Sequence, residues 1–375
     1  MKEISLYIHV PFCKQKCLYC DFPSYSGKDK LMSSYVVALN KEILQKAKTY
    51  LIRSIFIGGG TPSYLKNEDL KSLLQTLNKL DLKKDLEFTM ECNPGTLDES
   101  KLKIMKEYGV NRISIGLQSI KNSILKNIGR IHSYEEFKNN YFLARKLGFN
   151  NINIDLMFGL PNQSIDDWNT SLEEVAMLNP EHISAYSLIV EEGTGFYNLY
   201  EQDKLNLPSE NDERTMYLTT KQILAKHDYV QYEISNFAKI DKECYHNKVY
   251  WRCKEYLGLG ASASSFVDGK RTKNLDDIEA YILNINSRKD VGNEIHLNNI
   301  NDNMEEFMFM GLRMMCGINE NEFKKRFNMD IDEIYGEAIN KNIKQGLLRR
   351  NEGRIRLTSH GVEVSNWVMS DFIIS

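Results

Sequence analysis

Strand-like and helix-like segments alternate through the first half of the chain, and no other feature limits its fold as sharply. Residues 4–10, 54–57, 86–92, 112–116, 151–157 and 182–189 read as strands. Between them, residues 30–49, 68–80, 98–108, 134–147 and 166–178 carry helical periodicity. Helices of this length between strands imply parallel pairing through right-handed crossovers. Six such units predict an α/β fold, a partial (β/α)6 barrel over residues 1–235, rather than the closed eight-fold form. Its last segments are a helix at 210–227 and a strand at 229–234. Residues 236–268 are rich in Gly, Ser and aromatics and predict mostly loop, while residues 284–303 are polar and aperiodic and read as a linker. Together they predict a loop-rich extension over 236–300. From Met304 onward, three short helices, a hairpin (346–348 with 354–357) and a last helix after Thr358 predict a small winged-helix-like α+β cap over 301–375.

Composition excludes more than it assigns. A net charge of -3 over 375 residues gives no global attraction for nucleic acid or an anionic membrane. The first residues lack the apolar core and cleavage site of a signal peptide, and no apolar run approaches the roughly 18 residues of a membrane span. A cytoplasmic protein is expected. There are seven cysteines, an odd number, and three of them fall between positions 13 and 20. Without an export signal, such clustering favours metal over disulfides.

Cys13, Cys17 and Cys20 have the spacing C-x3-C-x2-C directly after the first predicted strand. Thiolates are soft ligands that suit iron–sulfur clusters and zinc. A closed zinc site needs a fourth ligand, and none follows at the usual short spacing, which leaves only His9 or the distant Cys92. Three cysteines on a four-iron cube leave one iron free to bind a small molecule. A structural zinc knot and three unligated thiols are the plainer alternatives. The C-terminal end of a barrel strand is where ligands gather.

More candidates sit at the ends of the next strands. Gly58-Gly59-Gly60-Thr61-Pro62 follows the second strand, and glycines let backbone approach a ligand closely. Glu91 ends the third strand, where a carboxylate suits an amine, a ribose or a cationic sulfonium. It could equally be a surface acid. Gln118 closes the fourth strand, Arg130 lies in Ile128-Gly129-Arg130-Ile131-His132-Ser133, and Asp155 lies on the fifth strand. An Arg fork matches a carboxylate in bidentate geometry, so Arg130 and Asp155 could hold a ligand or each other.

These motifs resemble the radical S-adenosylmethionine superfamily. The resemblance implies that Cys13, Cys17 and Cys20 hold a 4Fe-4S cluster whose open iron chelates S-adenosylmethionine. It further implies that Tyr7, Tyr19, Gly59, Gly60, Thr61, Glu91, Gln118, Arg130 and Asp155 surround that cofactor. In the family, an electron from the cluster cleaves the sulfonium C–S bond, and the protein supplies the aim. Tyr7–Cys20, the GGGTP run, Gly129–Ser133 and Asp155–Pro161 are similar to the coproporphyrinogen-oxidase branch, over nearly the whole chain. Within it, the oxygen-independent coproporphyrinogen III oxidases carry a further cysteine two residues after the third, where this chain has Phe22. They also have a longer segment before the first strand, which starts here near residue 4. His246-Asn247-Lys248-Val249-Tyr250-Trp251 matches a heme-associated motif of the heme-chaperone family of the branch. The resemblance to that family therefore implies heme as cargo, with His246 as its ligand. It also implies an acceptor protein, such as a membrane respiratory protein, an electron donor, and no conversion of coproporphyrinogen. On its residues alone, a lone histidine beside aromatics is as consistent with a hydrogen-bonded structural role.

Overall fold

A computed structural model describes residues 1–374. Seven parallel strands lie at the centre of one twelve-stranded sheet. The first six in chain order are β1 (Glu3–Val10), β2 (Leu51–Gly59), β3 (Asp81–Cys92), β4 (Arg112–Gln118), β5 (Ile152–Phe158) and β6 (His182–Ser187). Then follow β7 (Val230–Gln231), β8 (Asn236–Ala238), β9 (Tyr256–Leu259), β10 (Ser264–Val267), β11 (Lys270–Asn274) and β12 (Gly292–Leu297). The order across the sheet is β12-β11-β10-β9-β1-β2-β3-β4-β5-β6-β8-β7, parallel from β9 to β6 and antiparallel beyond both.

Alternation along the strands divides the sheet into two faces. Ile4, Leu6, Ile8, Val10, Ile55, Ile57, Phe88 and Met90 are buried against Leu39, Ile43, Leu70, Leu73 and Leu74 of the flanking helices. Each such side chain contributes about 1.5–3 kcal/mol on burial, so this outer face holds the fold together. The opposite face is polar and bonded across strands: Ser54 donates to Ser5 (2.8 Å), Asn153 to Ser114 (2.7 Å) and Ser184 to Asn153 (3.1 Å). Two crossover helices, Tyr134–Lys146 and Ile165–Met177, and the helix Glu210–Lys226 that follows β6 start on serine capping boxes at Ser133, Ser164 and Ser209. Those caps fix where the chain turns back toward the sheet.

The last segment has its own core of Phe307, Phe323, Phe327, Tyr335, Ile339 and Ile355. It comprises helices Ile300–Leu312, Glu320–Phe327 and Ile331–Lys344 and a small sheet of β13 (Ile318–Asn319), β14 (Leu348–Asn351) and β15 (Arg354–Leu357), in the order β13-β15-β14. This is the winged-helix-like arrangement expected. No helix among the described residues is long and apolar enough to cross a membrane.

The expectation of loop over 236–268 does not hold. That stretch supplies β8, β9, β10 and the helix Tyr245–Trp251, and the supposed linker holds β12, paired to β11. Strands of three to six residues are too short to show a period, and only pairing with distant partners makes them strands. The predicted strand at 229–234 shrinks to two residues, and helices Asn122–Asn127 and Gly195–Tyr200 were not anticipated.

Candidate functional site

The loop after β1 is tied down around the cysteines. Phe12 is fully buried, Cys13 N–H donates to Tyr25 O (3.0 Å), and Leu18 N–H donates to Ile128 O (3.1 Å). Cys13, Cys17 and Cys20 then line one cavity of about 440 Å³ at the C-terminal ends of β1 to β6. Thr61 Oγ1 donates to Cys13 Sγ (3.5 Å) and Arg130 Nη1 to Cys17 Sγ (3.7 Å). Burial pushes the Cys13 and Cys20 thiols up, so the free chain keeps them protonated, and a bound cation reverses that preference. Sulfurs around one zinc ion stand about 3.8 Å apart, given 2.3 Å bonds and tetrahedral angles. Among the described residues, no three His, Cys, Asp or Glu side chains converge on a single ion in this way. Three thiols lining one cavity, with donors aimed at two of their sulfurs, are a soft donor set whose chemistry fits an iron–sulfur group. His9 is not free to complete a zinc site: its ring nitrogens meet Tyr7 Oη (2.9 Å) and Pro23 O (2.8 Å).

The glycine run is required by its neighbours. A Cβ on Gly58 would stand 2.9 Å from Glu91 Oε2, one on Gly59 2.5 Å from the His9 ring, and one on Gly60 3.0 Å from Cys13 Sγ. Gly59 also has φ +113°, and its N–H donates to Glu91 Oε2 (3.1 Å). Gly59→Ala is therefore expected to destabilise the chain by about 2 kcal/mol or more, from positive φ plus the clash. Thermal unfolding of the cofactor-free protein checks this, and an unchanged midpoint would contradict the geometry.

Tyr19, Gly59, Gly60, Thr61, Glu91, Gln118, Arg130 and Asp155 all line the cysteine cavity. Glu91 lies on the polar face of β3, where burial and the nearby Asp155 push its carboxyl up to about 8 against the pull of Gly59 N–H and Arg112. Gln118 ends β4 with φ +70°, a backbone state uncommon outside glycine. Arg130 and Asp155 do not hold each other. The Arg130 fork reaches Asn93 Oδ1 (2.7 Å), the Gly116 carbonyl and Cys17, while its buried Nε has no partner. Asp155 accepts from Ser114 Oγ (2.9 Å) and Asn153 Nδ2 (2.8 Å).

Sequence reasoning missed Asn93, which joins Thr61 (2.7 Å) to Arg130, and Ser114 and Tyr186, which also line the cavity. Asn93 stands two residues from Glu91 and could have been marked. Ser114 and Tyr186 sit at ordinary strand positions and carry no signal of their own.

Two predicted residues lie elsewhere. Tyr7 lines a neighbouring cavity of about 330 Å³, which shares Phe22, Gly59 and Glu91 with the first. His246 is 1% exposed, inside the helix Tyr245–Trp251 that packs on the polar face of β2 and β3. Glu87 accepts from the N–H groups of Tyr245 (2.7 Å) and His246 (2.9 Å) at the start of that helix. His246 Nδ1 meets Ser54 Oγ and Nε2 meets Tyr250 Oη, both at 2.9 Å. With both nitrogens engaged and the ring buried, His246 presents no lone pair to heme iron here. Desolvation and Arg112 push its imidazolium down to about 3, so the ring is neutral.

Comparison with known proteins places this arrangement. Residues 7–175 match the Radical SAM superfamily, and residues 300–364 match the HemN C-terminal domain. Heme chaperone HemW of Bacillus subtilis (strain 168) is 38% identical, covering 98% of this chain and 99% of its own. Heme chaperone HemW of Escherichia coli (strain K12) is 34% identical over 100% of this chain and 99% of its own. The solved structure of coproporphyrinogen III oxidase (HemN) from Escherichia coli superposes with a TM-score of 0.86, covering 99% of this chain and 90% of that one. At 22% identity this shows a common fold. Likeness of 34–38% along the full length, with the three cysteines gathered at the strand ends, shows that the chain belongs to the HemW family of the radical S-adenosylmethionine superfamily.

Proposed function

We propose that this protein is a heme chaperone: it binds heme and passes it to an acceptor protein, and it does not decarboxylate coproporphyrinogen III. The observation that carries this reading is the full-length likeness to proteins named heme chaperones, at up to 38% identity, against 22% for the oxidase of the same fold. Phe22 also supports it. Where the oxidase pattern has a further cysteine, this chain has a phenylalanine, 60% exposed on the rim shared by the two cavities.

The superfamily's cofactors are a 4Fe-4S cluster and S-adenosylmethionine. In this reading Cys13, Cys17 and Cys20 hold the cluster, with Thr61 and Arg130 donating to the sulfurs. Gly59, Gly60, Glu91, Gln118 and Asp155 face the bound S-adenosylmethionine, with Tyr19 closing the side of the cavity. When bound, the cluster supplies one-electron reducing power and S-adenosylmethionine a reducible sulfonium. The chain's own residues bind and orient: Arg130 is fixed by Asn93 and Gly116, Asp155 by Ser114 and Asn153, and Glu91 by Gly59. His246, with both ring nitrogens hydrogen-bonded, is not the iron ligand in this reading. An electron donor, an acceptor such as a membrane respiratory protein, a cytoplasmic location, and the division at 235 and 300 belong to the same proposal.

The test uses one anaerobically reconstituted preparation. Heme titration is expected to give a saturable Soret band, and incubation with coproporphyrinogen III, S-adenosylmethionine and a reductant is expected to give no protoporphyrinogen IX. Steady decarboxylation would restore the oxidase reading, and absence of heme binding would remove the chaperone.

A further inference from the structure

We propose that the 330 Å³ cavity beside the glycine run seats the porphyrin ring of the cargo, gripped by its aromatic walls rather than by His246. The inference rests on the chaperone reading and assigns it a place. Tyr7, Phe22, Tyr250 and Tyr256 line this cavity, with Glu91 and Ser262 among its polar contributions. Aromatic walls around a cleft suit a flat, largely apolar ligand. The volume lies near the lower end of the usual range for ligand pockets, so only part of a tetrapyrrole fits inside and one edge projects past Phe22. An exposed edge suits a cargo that has to leave.

Two further observations point to a ligand. Ser262 is 8% exposed, and its hydroxyl has no hydrogen-bond partner among the described residues. A buried hydroxyl left unpaired is costly, and a ligand's polar group would satisfy it. In addition, the cavity shares Phe22, Gly59 and Glu91 with the cysteine cavity, so its occupant would abut S-adenosylmethionine.

His246 acquires a role through its neighbour. Ser54 donates its proton to Ser5, so it accepts from His246 Nδ1–H, and His246 Nε2 accepts from the Tyr250 hydroxyl. The Tyr250 ring, fixed in this way, meets Tyr256 edge to face with centroids 4.7 Å apart. His246 is a positioning residue for a wall of the seat.

The experiment titrates the reconstituted full-length chain with hemin and, separately, with metal-free protoporphyrin IX. Absorbance and porphyrin fluorescence are followed, with iron content and circular dichroism as controls. Tyr256→Ala and Tyr250→Ala are expected to weaken both ligands by about tenfold or more while iron content stays constant. Tyr256→Leu, which keeps bulk, serves if the alanine variant misfolds. His246→Ala is expected to weaken both, and His246→Gln, whose amide can donate to Ser54 and accept from Tyr250, to restore most of the loss. Wild-type binding with unchanged affinity in the tyrosine variants would remove this seat and leave the chaperone reading standing. Failure of wild type to bind either porphyrin would overturn that reading itself. If Tyr256→Ala lowers the stoichiometry of S-adenosylmethionine and leaves porphyrin affinity alone, the cavity belongs to a second S-adenosylmethionine and the inference is wrong.

Discussion

Alanine at Cys13, Cys17 or Cys20 is expected to leave the reconstituted protein without 4Fe-4S absorption and with iron at background. These thiols line one cavity, and two of them receive donors from Thr61 and Arg130. Of the other cysteines, Cys92 also lines this cavity, but its thiol is hydrogen-bonded to the backbone of its own strand, and the rest lie outside the cavity. Cys92 donates to Met90 O (3.7 Å), Cys244 to Glu87 (3.4 Å) and Cys253 to Glu306 O (3.4 Å), while Cys316 lies exposed on the C-terminal segment. Their substitution is expected to leave iron and sulfide content unchanged. Iron and acid-labile sulfide assays with EPR of the reduced protein read the outcome. Stoichiometric zinc with no iron after anaerobic purification would defeat the assignment.

Glu91 gives the second large effect, in the cofactor-free chain. Its carboxyl titrates at about 8 in the folded protein, against about 4.3 in an unfolded chain. A raised carboxyl means that the native state binds the extra proton between those values. Stability is therefore fully present below about pH 4.5 and falls as pH rises toward about 8. Over that window the loss attributable to Glu91 is on the order of a few kcal/mol. Glu91→Gln keeps an acceptor for Gly59 N–H and removes the titration, so its stability should depend far less on pH. The residual slope belongs to other groups, including Asp155, whose carboxyl burial also pushes up. Urea midpoints at pH 5 and pH 8.5 for both proteins test this, and equal slopes would show that Glu91 is not protonated in the cavity. In the proposed site Glu91 pairs with the cationic sulfonium and gives up this proton on binding, so S-adenosylmethionine affinity is expected to rise with pH up to about 8 in wild type. In Glu91→Gln it should be weaker, by roughly ten- to a hundredfold, and flat with pH.

By itself the sequence determined what is written in local periodicity and spacing. Each parallel strand from β1 to β6 has enough alternating apolar residues to declare itself, and serine caps start two of the helices between them. The cysteine loop and the glycine run were legible because their chemistry sits in consecutive residues. Tertiary structure decided everything that depends on partners far away in the chain. The short strands after residue 235 exist only through pairing, β9 with β1 above all. Whether Arg130 holds Asp155 or another group was open in the sequence; its fork goes to Asn93, Gly116 and Cys17, because a side chain's partner is set by where strands place competing acceptors. His246 shows the limit most clearly. A histidine among aromatics reads the same whether it faces a ligand or a strand. Only packing against β2, with Ser54 on one nitrogen and Tyr250 on the other, makes it an internal support instead of an open ligand.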